Sequence, residues 1–431
     1  MAESLSFLTF GGLIKDKRTE LGISLSELSR LSGISKGVLS KIETGKTKRP
    51  KLSTLKSLME VLKFPYDEVI KYYVESEDRI DVLHAFLLEA IELHNLSLIS
   101  KVANHFLSSP RDDTYNLLES LYEFANTCIC NEVKLSLYDE IVQYARQHGV
   151  PKYMAKGLYK TFFIKVQELD HLEEVFKLGE EILYYKEFLN QEERIKFLYR
   201  MAFLAHDLKK YEKCIQLGRM GHAEDTTENE IKERVALAIC NSYMFEEKYD
   251  ELENQLQLYK KLGYKFICDR IKFFRAIILA RTGNEKEAIP LLKECVAEST
   301  ENNRLHRVNE LIEALLRIND LDSLQHILEQ EEKNTTVIIN TPYKYSELGK
   351  YFKHKGMFLV KHGFFSEGME AYLASMKFYS EIHSLSGLSE CSEEIYIHHC
   401  EQNKDMHLGL LNKLREVYNV VNKGCKRGDI K

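Results

Sequence analysis

Hydroxyl and ammonium groups crowd one side of the segment SKGVLSKIETGK, from Ser35 to Lys46. Read as a helix, it turns Val38, Leu39 and Ile42 inward and leaves Lys36, Gly37, Ser40 and Lys41 facing out. A helix N-terminus presents free backbone amides. Serine and lysine beside it, and a glycine permitting close approach, give it the chemistry to hold phosphates and enter a nucleic-acid groove. Lys46, Lys48, Arg49 and Lys51 follow the Glu43-Thr44-Gly45 turn and extend the basic patch. The sequence has no P-loop, GxSxG, HExxH or glycine-rich dinucleotide turn, so the expectation is a non-enzyme without cofactor or metal. Its nine cysteines form no CxxC pair, and Cys128 and Cys130 make only a CxC; they read as small buried hydrophobes of a reduced, cytoplasmic protein.

The elements that must position this face are legible around it. Ser24 can cap a preceding helix, with Glu27 completing a capping box and Leu25, Leu28 and Leu31 forming its apolar side. Gly33 permits the turn between the two helices, and Ser35 caps the second. An earlier helix, Phe7 to Leu21, would bury Leu8, Leu13 and Ile14 and expose Lys15, Lys17 and Arg18. A fourth helix, capped by Ser53, carries Leu55, Leu58, Met59 and Leu62, and a fifth runs from about Asp67 to Tyr73.

Charge supports a separate basic head. Ten Lys or Arg against four Asp or Glu between Leu13 and Lys51 give +6, whereas the whole chain of 431 residues carries −6, leaving −12 elsewhere. No basic leader with a long apolar core opens the chain, and no apolar run has membrane-spanning length, so no membrane partner is expected.

The window ELSRLSGISKGVLSKIETGK and its flanking helices, about residues 8–73, resemble the Xre/Cro-type helix-turn-helix family. The resemblance implies groove contacts from Ser35, Lys36, Gly37, Ser40 and Lys41 and phosphate contacts from Arg18, Ser24 and Lys46, with Lys48 and Arg49 adjoining them.

Beyond Arg79 the chain reads as amphipathic helices separated by short polar turns near Asn95, Asn131, Asp170, Lys209, Glu247, Gly283, Asn319 and Gly363, about 36–44 residues apart. LARTGNEKEAIPLL and LVKHGFFSEGMEAYL carry the clearest shared grammar; in the second, Gly356, Gly363, Phe365, Gly368 and Tyr372 fall where a tetratricopeptide repeat places small, turn and aromatic residues. The expected fold is therefore all-α: a five-helix head (1–74), a connecting segment or helix (75–82), about eight degenerate tetratricopeptide-like helix pairs forming a right-handed α-solenoid (83–422), and a frayed tail (423–431). With the turns as anchors, the first helix of each pair faces a concave groove. That register places Lys160, Gln167, His206 and Met244 inward, and offers Tyr199, Phe203, Arg234, Asn241, Arg270, Phe273, His306, Asn309 and Lys353 as ligand-facing groups, with the two asparagines as peptide-backbone clamps.

A head of this kind on a long repeat body resembles the Rap, NprR, PlcR and PrgX family of peptide-pheromone receptors, in layout its PlcR-like or NprR-like members. That resemblance implies a cytosolic homodimer or higher oligomer that binds double-stranded operator DNA and an imported short linear signalling peptide. Two other readings stay open from the sequence: a Rap-like interaction module controlling a response regulator, and a phage-type repressor whose body only dimerises.

Overall fold

The computed structural model describes residues 10–47, 50–64, 69–70, 73–75, 77–167, 171–333, 341–382 and 384–428. Among these the protein is helical throughout and contains no strand. The head comprises α1 (Phe10–Glu20), α2 (Leu25–Ser32), α3 (Lys36–Glu43) and α4 (Leu52–Leu62). Ser24 Oγ accepts the Glu27 amide at 3.2 Å and Ser35 Oγ the Val38 amide at 3.4 Å, so both helices start at the serines the sequence marks. Only the forward half of the Ser24–Glu27 capping box is made among the described residues. Gly33 links the helices at φ 71°. α4 begins one residue before Ser53, with Lys51 at its N-cap and no side-chain cap. The fifth head helix lies mostly outside the described residues, but Val69, Ile70, Tyr73 and Val74 are buried.

Ile14, Leu28, Leu39, Ile42, Leu55, Leu58 and Leu62 form the centre of the head, each fully buried. Two residues expected inside are not: Leu31 is 49% exposed and Val38 41%. An eight-residue helix has room for only about two inward positions, and in each case Leu28 or the Leu39–Ile42 pair fills them.

Among the described residues, eighteen further helices of eleven or more residues form nine sequential pairs, one more than the sequence suggested. They are α5 (Ile80–Glu92) with α6 (Leu96–Leu107), α7 (Thr114–Thr127) with α8 (Asn131–Gln147), α9 (Pro151–Lys165) with α10 (Leu172–Leu183), and α11 (Gln191–Asp207) with α12 (Tyr211–Glu224). Then come α13 (Glu230–Phe245) with α14 (Tyr249–Lys261), the single turn α15 (Lys265–Cys268), and α16 (Ile271–Arg281) with α17 (Glu285–Ala297). The last are α18 (Arg304–Arg317) with α19 (Leu321–Lys333), α20 (Pro342–Lys361) with α21 (Phe365–Glu381), and α22 (Leu385–Glu401) with α23 (Leu408–Gly428). α23 runs straight through residue 422, where the expected repeat boundary lay.

Five of the eight turn anchors coincide with left-handed backbone: Lys209 (φ 58°), Glu247 (φ 56°), Gly283 (φ 84°), Asn319 (φ 57°) and Gly363 (φ 84°); Asn95 follows the left-handed His94 (φ 50°), Asn131 opens α8 without one, and Asp170 lies outside the described residues. Asn403 (φ 49°) marks the ninth. Within a pair, small residues set the approach: a Cβ on Gly356 would stand 3.0 Å from the Tyr372 ring.

The chain forms two units, residues 1–238 and 239–431. In the first, one continuous core runs from Ile14 to Met154, crossing the segment expected to connect head and body. Tyr73 and Phe86 meet edge to face at 5.4 Å, and Tyr73 Oη donates to the Pro50 carbonyl at 2.8 Å. Glu77, 1% exposed, accepts the Asp78 and Arg79 amides and pairs with the Arg79 guanidinium at 2.7 Å. Lys101–Glu75 at 2.7 Å and the Lys56–Glu89 pair complete the seam.

Candidate nucleic-acid interface and ligand groove

The outer face of α3 carries Lys36, Gly37, Ser40 and Lys41, all exposed, with Ser35 exposed at its N-cap and Ser24 and Lys46 exposed beside it. Neither Lys36 nor Lys41 has an ion pair among the described residues, so both ammonium groups are available to an anionic partner. A Cβ on Gly37 would meet nothing within 4 Å, leaving this helix start open to close approach. Val38 adds an apolar group to the same short helix, which an inward assignment from periodicity had concealed. Lys48 and Arg49 lie outside the described residues.

Arg18, expected at a phosphate, has partners within the head itself. Its Nε and Nη2 donate to the two Glu43 carboxylate oxygens at 2.7 and 3.0 Å, and Nη1 donates to the Ile23 carbonyl at 2.8 Å. This bidentate pair, largely screened from solvent, ties α1 to the end of α3 and fixes the exposed face. Gly11 permits the closeness: a Cβ there would lie 2.0 Å from the Ile42 carbonyl oxygen. Sequence spacing alone does not separate a surface arginine from one that folds back.

Three of the ligand-facing expectations come together in the first unit. Tyr199, Phe203 and Arg234 line a groove of about 650 Å³ with Phe163, Ile195, Arg200 and Ile231. Tyr199 is nearly buried, and its hydroxyl donates to Asp225 Oδ2 at 2.9 Å. Asp225 also accepts from Thr227 N and Oγ1 (2.9 and 2.7 Å) and Asn229 Nδ2 (3.0 Å). Burial works to raise its carboxyl, but these hydrogen bonds prevail and hold it at about 2. Arg234 pairs with Glu230 one turn earlier. The groove is therefore an apolar trough with cations at its edge and a carboxylate already satisfied from within.

The second unit gathers four more. Phe273 and His306 pack edge to face at 5.3 Å, and His306 Nδ1 faces Glu347 Oε2 at 3.4 Å. Asn309 is 1% exposed and spends its amide on Glu347, donating to the backbone carbonyl at 2.9 Å and to Oε2 at 2.8 Å. Asn309, expected as a peptide clamp, ties α18 to α20 through these bonds. Arg270 is half-buried and donates to the Phe266 carbonyl at 3.0 Å. Lys353 pairs with Glu390 at 2.6 Å, and Asn241 is half-buried on α13. Glu347 and Arg307, central to this cluster, were missed because charged residues at these repeat positions look like a solvated face.

Residues 14–69 match the helix-turn-helix family model. The chain is 31% identical over 110 residues to the HTH-type transcriptional repressor RghR of Bacillus subtilis (strain 168), covering 23% of this chain and 80% of that protein. It belongs to the HTH-type transcriptional regulators. The uncharacterized HTH-type transcriptional regulator RghRB of the same organism is 39% identical over 61 residues, 14% of this chain and 44% of that one. Among solved structures, Bacillus thuringiensis PlcR in complex with the peptide PapR7 and DNA is similar at 13% identity, covering 89% of this chain and 99% of that chain, with a TM-score of 0.26. The phAimR structure is similar at 13% identity, covering 96% and 100%, with a TM-score of 0.36. The protein is a transcriptional regulator with a helix-turn-helix DNA-binding head and a helical repeat body, and no described helix is long and apolar enough to cross a membrane.

Proposed function

We propose that this regulator is a cytoplasmic, non-enzymatic, peptide-responsive member of the Rap, NprR, PlcR and PrgX family, acting as a homodimer. α3 enters the major groove of operator DNA, with Lys36, Ser40 and Lys41 reaching base edges or phosphates and Ser24, Ser35 and Lys46 positioning the backbone. Val38 offers an apolar contact suited to a thymine methyl group. Arg18 and Gly11 act indirectly, by fixing α3.

The observation that carries the peptide reading is the groove built on Tyr199, Phe203 and Arg234, whose apolar trough and cationic edge suit a short peptide with apolar side chains. Because head and first helix pairs share one core, a ligand that favours one shape of the repeat body moves each head as a single piece. Sedimentation of the purified protein with and without size-filtered spent culture medium tests this. A shift abolished by protease treatment of the medium supports it; a dimer that binds DNA and never responds makes the body a dimerisation scaffold.

A further inference from the structure

In the first unit, one face of α9 carries Lys152, Lys156 and Lys160 at successive turns, each half-buried and none in an ion pair with a described residue. Their ammonium groups are held over two rings. Lys152 Nζ stands 5.2 Å from the Tyr153 centroid, Lys156 Nζ 5.9 Å from Tyr153 and 5.0 Å from Tyr122, and Lys160 Nζ 5.9 Å from Tyr122. The two rings pack at 6.3 Å, so the lysines that share them form one cluster. The helix beneath is fixed, since a Cβ on Gly157 would lie 2.6 Å from Val142 Cγ2 on α8. Like charges four residues apart repel, so the row works against its own helix. Glu119 and Glu123 of α7 and Glu193 of α11 are the acids felt by these tyrosines. None reaches a lysine of the row at ion-pair distance: Glu119 meets the Tyr153 hydroxyl, and Glu193 accepts the Asn190 amide at 3.1 Å. Phe163, one turn beyond Lys160, lines the groove of Tyr199 and Phe203, so the row runs on from that groove.

We propose that Lys152, Lys156 and Lys160 bind acidic side chains at alternate positions of an extended peptide, and, resting on the peptide reading above, that this acidic segment adjoins the part of the signalling peptide that fills the groove. Residues four apart on a helix advance about 6 Å, and side chains on one face of an extended chain repeat about every 6.6 Å. The three lysines therefore meet three alternate carboxylates with little drift. Tyr122 and Tyr153 are 4% and 1% exposed and covered by the lysines, so they offer no open face on which a base could stack; this favours a peptide over a single-stranded nucleic acid.

The test passes octapeptide pools over immobilised full-length protein. One pool has three glutamates at alternate positions, one has three consecutive glutamates and one has three alternate glutamines, with all other positions random. Wild type is compared with Lys156→Gln, with Lys156→Arg, and with the triple variant Lys152→Gln, Lys156→Gln, Lys160→Gln. Wild type is expected to retain the alternating-glutamate pool about tenfold over the glutamine pool, and more strongly than the consecutive pool. That preference should fall about twofold in Lys156→Gln, persist in Lys156→Arg and vanish in the triple variant; Lys156→Gln alone decides if the triple variant fails to fold. Equal retention of the glutamate and glutamine pools, retention of no pool, or an unchanged preference in Lys156→Gln overturns the lysine site. Equal retention of the alternating and consecutive pools overturns the extended register. An oligothymidylate of equal charge that displaces the retained peptides more strongly than the peptides displace themselves reassigns the row to nucleic acid and overturns the proposal. The two readings fail separately. Equal retention of the glutamate and glutamine pools, with the sedimentation response to spent medium intact, leaves the peptide reading without the lysine site; a lysine-dependent glutamate preference without that response removes the signalling peptide while the acidic-peptide site stands.

Discussion

Replacing Glu347 by glutamine removes a negative charge from a place where the fold is built to hold one. Burial alone would push this carboxyl upward, but the facing His306, Lys350 and the Asn309 amide overcome that and bring it from 4.5 to about 2. A drop of that size corresponds to a stabilisation of about 3 kcal/mol, since each pKa unit is worth about 1.4 kcal/mol. The sign follows from the direction. A carboxyl depressed in the folded state stabilises fully above its unfolded value and loses that contribution as pH falls through the folded value. Urea midpoints for wild type and Glu347→Gln should therefore differ by close to the full amount at pH 7, converge below pH 4.5, and nearly coincide as pH approaches 2. Asn309→Leu should lose about 1–3 kcal/mol at pH 7, because it strips a charged acceptor of its best donor. A gap between wild type and Glu347→Gln that stayed constant from pH 7 to pH 3 would refute the reasoning, because the loss would then be one of packing rather than charge. Asn309→Ala with wild-type stability would restore the asparagine as a candidate ligand clamp.

Gly37→Ala should leave stability unchanged or raised by up to about 1 kcal/mol, while weakening operator binding in a fluorescence anisotropy titration, whereas Gly11→Ala should cost about 1–3 kcal/mol because its methyl group meets the Ile42 carbonyl. Lys36→Ala with Lys41→Ala should cost about 1–3 kcal/mol for each lysine that hydrogen-bonds well to a base edge and flatten the salt dependence of binding; undiminished affinity in a gel shift would remove α3 from the interface. Arg18→Met should lower the unfolding midpoint as well as operator affinity, since it strands the Glu43 carboxylate, and Arg18→Met with Glu43→Leu should recover much of the stability but not the binding. Tyr199→Phe removes one donor to Asp225 and should cost about 1–2 kcal/mol, measured by urea unfolding.

The head was legible because its signals are local: Ser24, Gly33 and Ser35 each act on backbone within three residues, and all three do what their types suggest. The repeat period was legible for the same reason, since in most pairs a left-handed residue after the first helix sits at the polar turn. The ninth pair, whose turn lies around Asn403, was not among the anchors read from the sequence. The partners of Arg18, Asn309 and Lys353 were not legible, for a different reason. Each was placed on the correct helix, but its partner lies between 25 and 38 residues away, and an ion pair or amide tie at that separation leaves no periodic trace. Val38 shows the limit of periodicity from the other side: a β-branched apolar residue was assumed to seek the core, and the core had already been filled by Leu39 and Ile42.

The unbroken core between Ile14 and Met154 bears on how such a chain can be cut and inherited. Severing it at the acidic join near residue 75 would lay bare Val69, Ile70, Tyr73 and Val74 on one side and Leu83, Phe86 and Leu87 on the other, all of them buried here. The freed head would be a sticky fragment, and a recombination that exchanged heads at that point would have to invent a matching seam. The smallest transplantable piece therefore includes at least the first two helix pairs, so operator preference and the opening stretch of the repeat body travel through evolution as one heritable block.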